Sequence, residues 1–231
     1  MPFIGNKPSA VPLTSADIAD GIITSAKIAD GTIVNADINA SAAIDSTKLS
    51  GVTSDFVLLA TTDASSSASV SFDGYFSATY KNYLVLVANA IPATNDVSFR
   101  FRLRRSNADV TTANYNNTKF SYYQGASTSG STQSGAWDAD HVNLVYAGIR
   151  NTTSYGGANF IAYIMNPLGT DSYKAIVGTN TYYHNNSAIL TIDRNDFTAV
   201  LDDVTTALSG ITFYFNSGNI ASGNFKLYGI K

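Results

Sequence analysis

His141 and His184 are the only imidazoles of this chain, and its acidic groups are aspartates throughout, with no glutamate and no cysteine. Carboxylate catalysis would therefore rest on aspartate pairs, of which Asp138 with Asp140 and the adjacent Asp202 and Asp203 are the closest in sequence. Glycoside hydrolysis needs two carboxyls facing one bond. Aspartates in turn-rich segments more commonly accept backbone N–H bonds, so an Asp-based polysaccharide depolymerase stands last among the readings. A Ser-His-Asp triad is defined by geometry, and no G-x-S-x-G elbow marks one. No H-E-x-x-H, EF-hand loop, P-loop or G-x-G-x-x-G occurs. The residues thus specify no catalytic set, no cofactor site and no metal ligands. A calcium ion held by loop oxygens is compatible with the composition but fixed by no spacing. The expectation is a protein that is not an enzyme.

Two other groups of residues suit recognition. The stretch YYQGASTSGSTQSGAWDADH, from Tyr122 to His141, reads as a long Gly/Ser/Thr loop carrying Tyr122, Tyr123, Gln124, Trp137, Asp138 and Asp140. Flat rings beside hydroxyl, amide and carboxylate groups are what a sugar site requires. The alternative is that Trp137, the sole tryptophan, opens the next strand and packs in the core. Tyr182 and Tyr183 in NTYYHNN form a weaker candidate of the same kind. Arg100, Arg102 and Arg104 alternate with Phe99, Phe101 and Leu103, so a strand places the three guanidiniums on one face. That stripe can bind an anion, pair with aspartates across a subunit boundary, or form a solvated outer face.

The elements that would hold these groups follow from composition. Charge is sparse at 13%, whereas Ser, Thr, Asn, Gly and Tyr abound, a composition of strands and turns. The net charge of −3 and pI near 5.2 give no footprint for nucleic acid. No apolar run approaches the roughly 18 residues of a membrane span, and the N-terminus lacks the pattern of a signal peptide. Strand signals recur from residue 53 onward in FVLLATT, ASVSFDGYF, NYLVLVANAI, VSFRFRLRR, HVNLVYAGI, ANFIAYIM, SYKAIVGTNTYYH, AILTID, GITFYF and NFKLYGIK. About ten strands with irregular turns predict an antiparallel β-sandwich, jelly-roll-like, over residues 53–231. DFTAVLDDVTTAL carries helically spaced apolar residues and reads equally as helix or as strand and loop.

Ahead of this body, SADIADGIIT, SAKIADGTIV and NADINASAAI repeat with a period of ten, from Ser15 onward. Ile18, Ile28 and Ile38 recur on that period, as do Ile23 and Ile33, and Asp20-Gly21 and Asp30-Gly31 mark reversals. Two or three isoleucines per decamer are too few for a solitary core and too regular for a flexible linker. Residues 13–52 therefore predict an extended shaft in which three chains bring these isoleucines to a common axis. Residues 1–12, punctuated by Pro2, Pro8 and Pro12, predict an extended peptide whose Phe3 and Ile4 lie in a groove of another protein or, equally, a frayed terminus.

The stretches MPFIGNKP, ITSAKIADGTIVNADI and SGNIASGNFKLYGIK resemble small trimeric fibre proteins of tailed bacteriophages, in particular fibre-like virion proteins of marine and cyanobacterial phages. The resemblance covers both ends and the shaft; the centre of the body shares only general character. It implies that residues 1–12 dock to another virion protein, on the tail or the capsid, and that 13–52 form a homotrimeric shaft. It further implies that 53–231 form a head contacting host surface polysaccharide or lipopolysaccharide. The expected location is the virion, after synthesis in host cytoplasm. A head fibre or decoration protein mounted on the capsid and binding virion neighbours is the alternative.

Overall fold

The computed structural model describes residues 14–45, 48, 54–145, 147–186, 189–203 and 206–231. The predicted attachment residues Phe3 and Ile4 lie outside them. The chain divides into two units, Met1–Thr53 and Ser54–Lys231.

In the first unit, Ser15–Asp17, Ser25–Lys27 and Asn35–Asp37 each form one turn of 3-10 helix, ten residues apart. The carboxylate at the end of the turn makes the start of it. Asp17 Oδ2 accepts from the Thr14 N–H at 2.8 Å and hydroxyl at 2.7 Å, and Asp37 Oδ2 accepts from the Val34 N–H at 2.9 Å. Those Thr14 bonds hold the Asp17 carboxyl below its ordinary pKa. The middle turn carries Lys27 in this position, so it has no such acceptor. Gly21 and Gly31 then reverse the chain with φ of +79° and +78°, which explains the Asp-Gly pairs.

The hydrogen bonds among the described residues of this unit all reach at most three residues along the chain, so no ladder joins one decamer to the next. Ile18, Ile23, Ile28, Ile33 and Ile38 are between 38% and 56% exposed. The local turns are satisfied, but among the described residues these apolar side chains are only partly covered.

The described residues of the second unit form thirteen strands: β1 (Phe56–Ser67), β2 (Val70–Asp73), β3 (Asn82–Pro92), β4 (Phe99–Arg105), β5 (Ala108–Asp109), β6 (Tyr115–Gly125), β7 (Ser129–Ala139), β8 (Val142–Asn143), β9 (Ala158–Met165), β10 (Lys174–Asn186), β11 (Ile189–Leu201), β12 (Gly210–Phe215) and β13 (Ile220–Ile230). They form two antiparallel sheets. The large one has the order β1-β13-β3-β9-β10-β11-β6-β7, and the small one β2-β12-β4-β5 with β8 also on β4. The protein is all-β, as the composition predicts.

Period-two patterning sets which side chains fill the space between the sheets. Phe99, Phe101 and Leu103 of β4 and Ile211, Phe213 and Phe215 of β12 point from the small sheet into the core. Tyr83, Val85 and Val87 of β3, Phe160 of β9, and Phe225 and Leu227 of β13 are buried on the large sheet. The Phe213 ring ties them together, at 5.8 Å from Phe99, 5.5 Å from Phe160 and 5.8 Å from Phe225.

Two sequence expectations are corrected here, and one open pair of alternatives is decided in favour of the strand. The stretch from Tyr122 to His141 is no long loop: β6 and β7 form a hairpin whose reversal is Ala126–Thr128, closed by the Gly125 N–H donating to Thr128 O. β7 pairs with a strand on one side only and is little buried, so its Ser, Gly and Thr residues carry no hydrophobic alternation to read. DFTAVLDDVTTAL holds no helix among its described residues, because Phe197, Ala199 and Leu201 keep the pleat of β11. HVNLVYAGI contributes only the two residues of β8 and an isolated bridge at Ile149.

Phe213 is fully buried, and truncating such a ring removes transfer energy and leaves a cavity. Phe213→Ala is expected to lower unfolding stability by about 3–5 kcal/mol in urea titrations. A loss below about 1 kcal/mol would show that the two sheets do not pack through this ring.

Candidate functional site

The arginine stripe lies on the outer face of the small sheet, and its partners come from the same chain. Arg102 sits opposite Thr212 of β12, and Arg104 sits between Gly210 of β12 and Asp109 of β5. Arg104 pairs with Asp73 at 3.0 Å and with Asp109 at 2.5 Å. Arg102 donates from Nη2 to Asp140 Oδ2 at 2.5 Å and from Nε to Asp140 O at 2.9 Å, while its guanidinium lies 5.0 Å over the Tyr214 ring. Arg105 pairs with Asp203 at 2.8 Å. Arg102 and Arg104 are thus partly buried and paired with aspartates of their own chain, an arrangement outside the three expected alternatives, and much of the charge they could offer an anionic ligand is neutralised.

His141 Nδ1 lies 2.6 Å from Asp140 Oδ1. That hydrogen bond and the Arg102 contacts hold the Asp140 carboxyl below its ordinary pKa. Burial pushes His141 down and outweighs the attraction of Asp140, so a neutral imidazole donates from Nδ1. The Asp140 carboxylate is held by Arg102 and His141. Asp138 occupies a left-handed conformation at φ +52°, with its N–H donating to Asn116 Oδ1.

The candidate sugar contacts separate into three places. Tyr122, Tyr123 and Gln124 line a groove of about 410 Å³ with Ser129, Gly130, Thr181, Ile192 and Arg194. Trp137 lies farther along the hairpin, six residues beyond Ser131, the register partner of Tyr122. At roughly 3.3 Å per residue that is about 20 Å away. Trp137 is 76% exposed, so the alternative that it packs in the core is excluded. Tyr182 is buried, with its hydroxyl accepting from the Ala147 N–H, which removes it from the candidate contacts. Tyr183 packs on Tyr155 with ring centroids 5.4 Å apart.

The interior beneath the Tyr122 groove is polar. Ser121, Asn195 and Asn180 stand opposite one another across β6, β11 and β10. Asn180 Nδ2 and Asn195 Nδ2 both donate to Leu144 O, at 2.7 and 3.0 Å. His184 Nδ1 lies 2.9 Å from Asp193 Oδ2, and burial raises the Asp193 carboxyl above the usual carboxylate range against that bond. Ser121 Oγ, Asp193 Oδ1 and Asn195 Oδ1 are buried without a hydrogen-bond partner. Lys119 Nζ donates to Asn143 O at 3.0 Å, and burial lowers its pKa to about 8. A His–Asp pair resembles two thirds of a triad, but no serine in hydrogen-bond contact with His184 completes it among the described residues.

Sequence reasoning missed Phe120, Ile192, Arg194 and the His184–Asp193 pair. The available signal was parity. In KFSYYQ and LTIDRND the apolar residues fall on the opposite parity from the core residues of the same strand. No group of three or more metal-ligating His or Asp side chains occurs among the described residues. No family model, curated protein or solved structure matches the chain.

The Lys119 ammonium titrates near 10.4 in an unfolded chain but near 8 when folded. The folded state thus carries a penalised charge at neutral pH and sheds it first on alkalinisation. Stability is expected to rise as pH passes from 8 toward 10, by at most about 3 kcal/mol. Urea midpoints of the wild type should follow this rise, and Lys119→Met should flatten it; a wild-type profile without the rise contradicts the assignment.

Proposed function

We propose that this chain is the protomer of a homotrimeric virion fibre that anchors through residues 1–12 and contacts a host surface glycan through its C-terminal unit. The observation that carries this reading is the decameric row of exposed isoleucines. A repeat with satisfied local turns and uncovered apolar side chains is completed by other chains, and three copies give each row a common axis. The resemblance of the leader, repeat and C-terminal stretch to phage fibre proteins supports the same assignment.

For the glycan contact, the end of β7 fits best. Trp137 offers an unobstructed ring, and Asp138, Asp140 and His141 follow it directly in sequence with hydrogen-bonding groups. A pyranose presents an apolar face to such a ring and hydroxyls to such groups. Three weak sites on one trimer reinforce one another by effective concentration, so no single site needs a deep cavity.

Full-length protein should bind a subset of bacterial surface polysaccharides or lipopolysaccharides saturably on an array. Trp137→Ala is expected to weaken that binding by about tenfold or more, as loss of a central aromatic contact does. Binding that survives the substitution unchanged would reject the Trp137 site, and absence of any bound glycan would reject the attachment role.

A further inference from the structure

We infer that the outer face of the large sheet around Phe120, Tyr122 and Ile192 is covered, in the assembled protein, by a second copy of this chain. β11 pairs with β10 over its whole length and with β6 from Thr191 to Leu201, in both cases without a bulge. One pleat therefore runs through the strand, and odd-numbered side chains face inward from Thr191 to Leu201. From Phe197 to Leu201 the pattern is conventional, with Phe197, Ala199 and Leu201 in the core. From Thr191 to Asn195 it is inverted: Thr191, Asp193 and Asn195 are buried, whereas Ile192 is exposed.

β6 inverts in the same region. Lys119 and Ser121 are buried, while Phe120 and Tyr122 stand outside with ring centroids 4.8 Å apart. The inward groups satisfy one another only in part: Asp193 meets His184 and Asn195 meets Leu144 O, but Ser121 Oγ, Asp193 Oδ1 and Asn195 Oδ1 lack partners there. A half-sheet that turns its apolar side chains outward and polar ones inward is a sheet with apolar contact on its outer side.

The charges of this face select the occupant. The face carries Arg194 paired with Asp196 at 3.0 Å, and farther across the same face Lys226 lies one pleat from Asp63. Both signs are present in matched number, so two copies meet without like-charge repulsion. A second copy is also at hand. The inference rests on the self-association proposed for residues 13–52, which tethers every C-terminal unit to others at high effective concentration.

The absence of cysteine makes the test direct. Thr198→Cys and Ser131→Cys place single thiols on small, exposed positions of this face, and Thr111→Cys places one in an exposed loop. Each full-length variant is labelled with a maleimide under native conditions, alone and with Ile28→Asp added to disrupt the repeat. In the assembled protein, the two face thiols should react about tenfold or more slower than the Thr111→Cys control, as interface cores pack like interiors. They should react at the control rate in the Ile28→Asp background and when Ile192→Asp is introduced.

Face thiols that react at the control rate in a confirmed assembly overturn this inference and leave the fibre reading standing. Protection that persists in the dissociated Ile28→Asp background also overturns it, because the cover would then come from the same chain. A wild-type protein that is monomeric overturns both.

Discussion

The pleat of a β-strand assigns alternate side chains to opposite faces, and in this protein that constraint governs more than the core. β10, β11 and β6 are paired in continuous register, so the residues that anchor one end of each strand fix the facing of the other. Phe197, Ala199 and Leu201 lock β11 against the small sheet. Asp193 and Asn195 are then carried inward, and Ile192 outward, whatever their individual preferences. The buried His184–Asp193 pair and the two amides on Leu144 O accommodate that imposed interior.

The N-terminal repeat is held by a different but equally local rule. Its Asp17 and Asp37 carboxylates and its Asp-Gly reversals satisfy the backbone one decamer at a time. Among the described residues, the bonds between neighbouring decamers are single turn closures such as Lys27 N–H to Thr24 O and Asp37 N–H to Val34 O, and the isoleucines stay more than a third exposed. Both units thus close their hydrogen bonds within a single chain while leaving apolar side chains in water. The proposed role follows from that division. The backbone fixes shape in each protomer, and association supplies the missing apolar contact.

Much of this was legible in the amino-acid sequence where burial imposed a pattern. β4 could be read from strict alternation, and β9 and β12 from short runs rich in apolar and aromatic residues, since their core contacts select for both. The decamers were legible because a turn that needs glycine at positive φ leaves a fixed mark. β7 was not legible, because an edge strand with little buried surface exerts no selection for alternation. The helical spacing in DFTAVLDDVTTAL arose from combining inward residues of β11 with Val200 on its other face. Tyr182 turned into the core against its reading as a contact whereas Trp137 stayed exposed, since one ring of a tyrosine pair must face the core and a tryptophan near an edge need not. The arginine partners Asp73, Asp109 and Asp140 are far apart in sequence and became visible only through strand order.

The claim beneath all of this is that single chains are incomplete and three of them complete one another. Light scattering on the full-length protein, coupled to size-exclusion chromatography, measures that most directly. A mass three times the 24.5 kDa of the protomer is the predicted result. A single protomer mass at micromolar concentration would contradict the account, because the exposed isoleucines of the repeat would then have no partner to meet.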